Sequence, residues 1–323
     1  MEYTVFLVDR TPYGVVEWDL KEKNLEFLNG IDPDYFHYVA KSHLASLDGE
    51  DKNRAAVAIR LGFFHGMETL FSIICATLQA PDCYPAWIEK CTSGQLRSMV
   101  DTINRGSNHF QNKLNIDWVD WDSMAEKVFF CSKFNEKIPN ETIKKFSQFW
   151  SRLSSIYLNE NYKYEFNSIK HGFRTKAGGF HLRMGVEPEY GVSPPEEEMR
   201  HMGGSKFGTS FYRAESLNLV DNKLEKHNLR IKQHNINWNP ETMCYSLGLI
   251  CTSLQNIISF AKIINGIDPK TVKFSRPQDL SCFDKPWDDS VGVFSMSMNP
   301  KIQTEGLNLL SRQEILEKLK FKA

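Results

Sequence analysis

AVAIRLGFFHGMETLFSIICATLQAP, Ala56 to Pro81, is the stretch whose reading decides the fold class. Phe63, Phe64, Met67, Leu70, Phe71, Ile74 and Leu78 recur at spacings of three and four, which lays them along one face of an α-helix. The helical pattern begins near Asp51 and stops at Ala80-Pro81, because proline cannot continue the hydrogen-bond ladder. Working outward, Pro85 to Ile103 predicts a second helix that pairs back on the first, and residues 106–123 read as loop. Asn140 is the expected N-cap of a third helix, with Glu141 in its first turn and Phe146, Phe149, Trp150, Leu153 and Ile156 along its length. Asn159 to Arg174 predicts a fourth. Four consecutive helices with modest connections predict an antiparallel bundle.

On either side the pattern changes. Residues 1–48 read as short strands and loops, with Thr4–Val8 and Gly14–Trp18 as the β-like runs. After Thr175, the alternation Phe180, Leu182, Met184, Val186 predicts a strand, and Phe207 to Leu219 and Leu229 to Trp238 predict two more, assembled as an antiparallel sheet. Asn239-Pro240 starts a helix over Glu241–Ile264, and a charged helix is expected over Arg312–Lys320. The predicted fold is α+β, mainly α: an antiparallel helical bundle with a small antiparallel β-sheet added after the fourth helix. The expected segments are 1–48 (strands and loops), 49–176 (bundle), 177–240 (β segment) and 241–323 (a helix packing on the bundle, plus a tail).

Composition sets limits on the function. The chain has 323 residues, 41% apolar and 24% charged, with 22 Phe and 7 Trp, enough to bury a core without disulfides or metal. A net charge of −1 excludes a globally polybasic nucleic-acid binder, so any anion site must arise from local clustering. The start, MEYTVFLVDRTPYG, lacks a basic region followed by an apolar run, and Leu247 to Ile264 is interrupted by Thr252, Ser253, Gln255, Asn256 and Lys262. That stretch is expected to be too polar to span a membrane, and a cytoplasmic location with no membrane partner is expected. Seven cysteines in no C-x-x-C pattern predict reduced core thiols.

The chemistry concentrates in NYKYEFNSIKHGFR, Asn161 to Arg174. On a helix, Tyr162, Phe166, Ile169 and Phe173 form an apolar stripe, while Lys163, Asn167, Lys170, His171 and Arg174 fall on the adjoining face. From Asn161 to Gly185, five cations (Lys163, Lys170, Arg174, Lys176, Arg183) stand against one acid, Glu165. Such a face suits phosphate groups, and His171 has the side chain to move a proton near neutral pH. The other reading is a solvated helix face with structural hydrogen bonds. Arg60 is a further candidate for phosphate contact, since it lies in line with Phe64, Met67 and Phe71, where a charge needs a partner or a purpose. A salt bridge with Glu68 or another acid is the structural alternative.

Asn167-Ser168-Ile169-Lys170-His171-Gly172 resembles the N-x-x-x-H-G core of the R-N-x-x-x-H-G motif of HEPN (higher eukaryotes and prokaryotes nucleotide-binding) domains. Ala58 to Glu68 is similar to an opening helix of those bundles, so the resemblance covers roughly residues 50–176. It implies a small helical bundle that dimerises and, in many members, a metal-independent ribonuclease of toxin–antitoxin, phage-defence or RNA-processing systems. Carried over, His171 and Asn167 would be the catalytic pair. Lys170, Arg174, Lys163 and Arg60 would bind substrate. No cofactor or metal is implied, and RNA or a nucleotide and a second copy are the expected partners. The family's arginine falls on Phe166, which also leaves open an inactive binding or protein-interaction module.

Other signals are weaker. His65 and Glu68 form H-x-x-E without a third ligand. Gly203-Gly204-Ser205-Lys206-Phe207-Gly208-Thr209 is not a P-loop and reads as a turn. Glu196-Glu197-Glu198 follows the basic segment and either covers it or is solvated. No serine or cysteine has a nucleophile signature.

Overall fold

The computed structural model describes residues 2–134, 137–171, 174–218, 224–288, 291–298 and 309–319. The fold is α+β and mainly α, with ten α-helices and three small antiparallel sheets among those residues. Two compact units are formed: residues 1–163 with 240–290, and residues 164–239 with 291–323.

The first unit is helical. A hairpin of β1 (Glu2–Val8) and β2 (Thr11–Glu17) precedes α1 (Leu20–Gly30), α2 (Tyr35–Leu44) and α3 (Lys52–Gln79). Then come α4 (Tyr84–Lys90), α5 (Ser93–Arg105), α6 (Trp121–Phe130), α7 (Asn140–Leu158) and the start of α8 (Glu160–Lys170). After the excursion to the second unit the chain returns as α9 (Pro240–Ile264). The long helix read from Ala56–Pro81 is α3, and it is buried nearly all round. A helix apolar on every side belongs at the centre of a core, and α2, α4, α5, α7 and α9 all pack on it. Gly62 and Gly66 permit the close approach. A Cβ on Gly62 would stand 3.1 Å from Val39 on α2, and one on Gly66 would stand 3.2 Å from Leu247 on α9.

Several expectations are corrected here. Residues 1–48 contain two helices as well as the hairpin. In α1 the buried positions are Asn24 and Leu28, so a polar residue sits where an apolar period would be sought. Apolar residues on both faces of α2, such as exposed Tyr35 and Tyr38 beside buried Phe36, blur its period. The helix expected over Pro85–Ile103 is two helices. Thr92 and Gln95 close a capping box at the start of α5, which stops α4. The stretch 106–123 read as loop ends in α6, whose start is another capping box, Asp120 with Ser123. In α7, Asn140 is the first helical residue and Pro139 holds the cap position.

Four polar residues of α9, Ser246, Ser253, Asn256 and Ser259, are buried. Ser253 accepts a hydrogen bond from Trp150 Nε1 at 2.9 Å. Asn256 clamps Ser275 through both backbone groups, donating to its carbonyl at 2.8 Å and accepting from its amide at 2.7 Å, and Ser259 donates to the Lys273 carbonyl. By length and composition α3 and α9 are apolar enough to cross a membrane, with mean hydropathy 1.4 and 1.5 over their most apolar windows. This corrects the expectation that α9 is too polar. Those windows are 72% and 67% buried inside the fold, and core helices pass the same test.

The second unit contains the remainder of α8, from Tyr164, and a four-stranded antiparallel sheet in the order β3 (Thr175–Ala177), β6 (Gly208–Asn218), β7 (Leu224–Asn237), β8 (Ser295–Met298). A separate hairpin joins β4 (His181–Met184) to β5 (Arg200–Gly204), and α10 (Arg312–Leu319) lies near the C-terminus. Gly203, at φ 140°, must be glycine, because a Cβ there would meet the Val293 amide and the Gly292 Cα at 2.7 and 2.8 Å. This accounts for Gly203 as a close backbone approach and assigns it no phosphate.

Candidate functional site

The helix expected over Asn159–Arg174 is α8, which ends at Lys170, and it and the residues just after it divide into a buried and an exposed set. Glu165, Phe166 and Ile169 are buried, while Asn167, Lys170, His171 and Arg174 are exposed. The helix closes with the His171 amide on the Asn167 carbonyl at 3.0 Å and the Arg174 amide on the Ser168 carbonyl at 2.7 Å. Arg174 Nε donates to the His171 carbonyl at 2.6 Å, a cation satisfying an orphan carbonyl at a helix end. Lys170 Nζ lies 5.2 Å from the centroid of the Phe166 ring. The motif glycine, Gly172, and the last member of the apolar stripe, Phe173, lie outside the described residues.

Glu165, the one acid of this basic segment, is withdrawn from its surface. Its carboxylate accepts from Thr209 Oγ1 on β6 and from Trp238 Nε1 at 3.0 Å. Beside it, the Arg213 guanidinium lies 3.5 Å from the Tyr164 ring centroid and donates to the Tyr164 hydroxyl. Arg213 and Lys232 face each other across β6 and β7, and Glu215 pairs with both. That pairing, chiefly the hydrogen bond from Lys232, holds the Glu215 carboxyl below its usual range. Further along the same face His234 Nδ1 and Ser297 Oγ are 2.8 Å apart, and the buried Nε2 has no hydrogen-bond partner among the described residues. Burial pushes the His234 pKa down, Arg213 and Lys232 push the same way, and Glu215 opposes them.

These groups were not singled out in the sequence. For Glu165 a signal existed. It lies three residues after Tyr162 and four before Ile169, on the buried stripe. For Arg213 and His234 the cross-strand register was needed. The same holds for His181 and His201, whose Nδ1 and Nε2 stand 3.3 Å apart across β4 and β5. Among the described residues, no three His, Cys, Asp or Glu are grouped to hold a metal ion. Of the acidic run, Glu196 reaches back to Arg183 at 3.5 Å, while Lys170 and Arg174 stay exposed.

The first unit holds the remaining two predicted residues. Lys163, half-buried, pairs with Glu160 at 3.4 Å. Arg60 is fully buried. Its guanidinium lies 4.6 Å from the Phe64 ring centroid and 4.3 Å from that of Tyr162, with Nη1 3.9 Å from Met243 Sδ. This corrects the expectation of a substrate contact: two aromatic faces and a thioether seal the cation in the core. Comparison of the chain with protein-family models, curated proteins and solved structures gives no match.

Proposed function

We propose that the chain is a HEPN-like RNA- or nucleotide-binding protein that holds phosphate on the strip formed by Asn167, Lys170, His171 and Arg174. The observation that supports this is the sorting of charge over residues 161–174: Asn167, Lys170, His171 and Arg174 are exposed, while Glu165, the only acid of that stretch, is buried against Thr209 and Trp238. A cationic surface follows locally in a chain of net charge −1. The reading extends to a homodimer in which a second copy sets its own strip opposite the first, in the cytoplasm, within a bacterial defence or toxin–antitoxin type system.

A second reading, a metal-independent endoribonuclease, is favoured by the exposure of His171, with His171 as acid–base and Asn167 as its polar companion. Phe166 stands where the family has arginine, and it is buried, so the charge for a scissile phosphate would come from Lys170 or Arg174. The test is binding and cleavage of labelled single-stranded RNA in EDTA. Salt-sensitive binding that weakens in Lys170→Ala and Arg174→Ala, each with a shallower salt dependence, supports the binding reading. Cleavage lost in His171→Ala supports the enzyme. No binding at low salt rejects both.

A further inference from the structure

We propose that the first unit carries a separate nucleotide site, in a cavity between the end of α5 and the helices α6 and α7, with Trp118 as the stacking platform. The cavity has a volume of about 510 Å³, within the range of small-ligand sites. Trp118 lines it and is 52% exposed, and the backbone beside it is tied down. The next residue, Val119, exchanges both backbone hydrogen bonds with Ser107, at 3.1 and 2.9 Å. One part of the indole lies on Gly106, close enough that a Cβ there would stand 2.7 Å from the ring. Gly106 has φ 72° and caps α5, so the backbone and the ring fix each other. A large aromatic ring, anchored on one side and open to a cavity on the other, is a preorganised surface for a planar ligand.

The cavity wall supplies the rest of the recognition. Lys144, Gln148 and Arg152 recur at four-residue spacing along one face of α7, all exposed and all lining the cavity. Neither Lys144 nor Arg152 forms an ion pair among the described residues. Arg152 is instead 5.4 Å from the Trp287 ring centroid. Arg105 also lines the cavity and is held by Asp101. Two acids are present and engaged: Asp120 accepts from the Ser123 amide as the cap of α6, and Asp122 accepts from Ser147. A flat aromatic platform, an amide and two cations that form no ion pair among the described residues match a base bearing a phosphate, either a free nucleotide or one unit of a single strand. This site uses none of the residues of the α8 strip.

The test is calorimetric titration of the full chain with each of the four nucleoside monophosphates, and with six-nucleotide oligoadenylate and oligouridylate RNA. At least one of these probes should bind, and Trp118→Ala should weaken it by about tenfold or more, whereas Trp118→Phe should retain most of the affinity. Lys144→Gln and Arg152→Gln, at exposed positions, should weaken the monophosphate severalfold and leave the corresponding nucleoside unaffected. Binding of oligonucleotide alone, lost in Trp118→Ala, would assign the site to a strand. The doubly substituted Lys170→Ala/His171→Ala chain should keep the monophosphate site intact, so failure of the α8 strip and failure of this cavity are told apart. The absence of binding by every probe up to about 5 mM, or binding equal in Trp118→Ala and in the native chain, would overturn the proposal.

Discussion

Arg60 is a buried cation set against aromatic rings. Its guanidinium is weakly hydrated and planar, so it can be placed against the Phe64 and Tyr162 rings in a way an ammonium cannot. Arg60→Ala should therefore lower unfolding stability by about 3 kcal/mol or more, and Arg60→Lys should also destabilise, both read by urea denaturation. An Arg60→Ala chain as stable as the native one would show that the stacking contributes nothing. His234 gives a residue-scale prediction in pH. Its pKa is depressed in the folded state, so the unfolded chain binds the proton more readily. Stability from this group is present above the ordinary histidine value, near 6.5, and is lost as pH falls from there toward the lowered folded value. The thermal midpoint should decline over that interval, and His234→Asn should flatten the decline. An unchanged slope would reject the assignment.

At the scale of elements, the polar residues inside helices decide how neighbouring segments are held. Asn256 replaces a missing strand partner for Ser275 by giving it both an acceptor and a donor. Asn256→Ala should cost about 2 kcal/mol, because both backbone groups of Ser275 lose their partner. Asp120→Ala should cost less, about 1 kcal/mol, because the α6 cap lies nearer solvent. Gly66 tests the packing of α3. Leucine there would drive a side chain into Leu247 and Ile250, and Gly66→Leu should lower the thermal midpoint despite leucine's better helix propensity. A midpoint that rises would mean α9 can move aside.

For the molecule as a whole, stability rests on apolar burial. None of the seven cysteines is bonded to another, and burial pushes the Cys91 thiol up to about 12 and those of Cys244 and Cys251 up to about 11. Thiols held protonated are poor nucleophiles at neutral pH. Thermal unfolding should be indifferent to reductant and to EDTA, and a large drop in midpoint with either would show that a disulfide or a metal ion contributes. Each unit has its own way of burying surface. The first gathers helices around α3, and the second builds an antiparallel sheet on which Arg213 and His234 share a face.

The amino-acid sequence by itself determined α3, α7 and α9, because each carries apolar side chains recurring at helical spacing, and it located the bodies of α8, β6 and β7. It also determined that Asn167 and Lys170 would be exposed beside a buried Phe166, since helical spacing assigns those faces, whereas Arg174, expected on the same helix, is exposed beyond the end of α8 at Lys170. Only the tertiary structure decided the fate of single polar residues within apolar stripes. Asn24, Arg60, Glu165 and Asn256 are buried because distant segments offer them rings, carbonyls or hydroxyls, and a local period carries no information about such partners. The same reason kept Trp118 from view. Its value as a platform depends on Gly106 beneath it and on α7 across the cavity, which are brought to it only when the chain has folded.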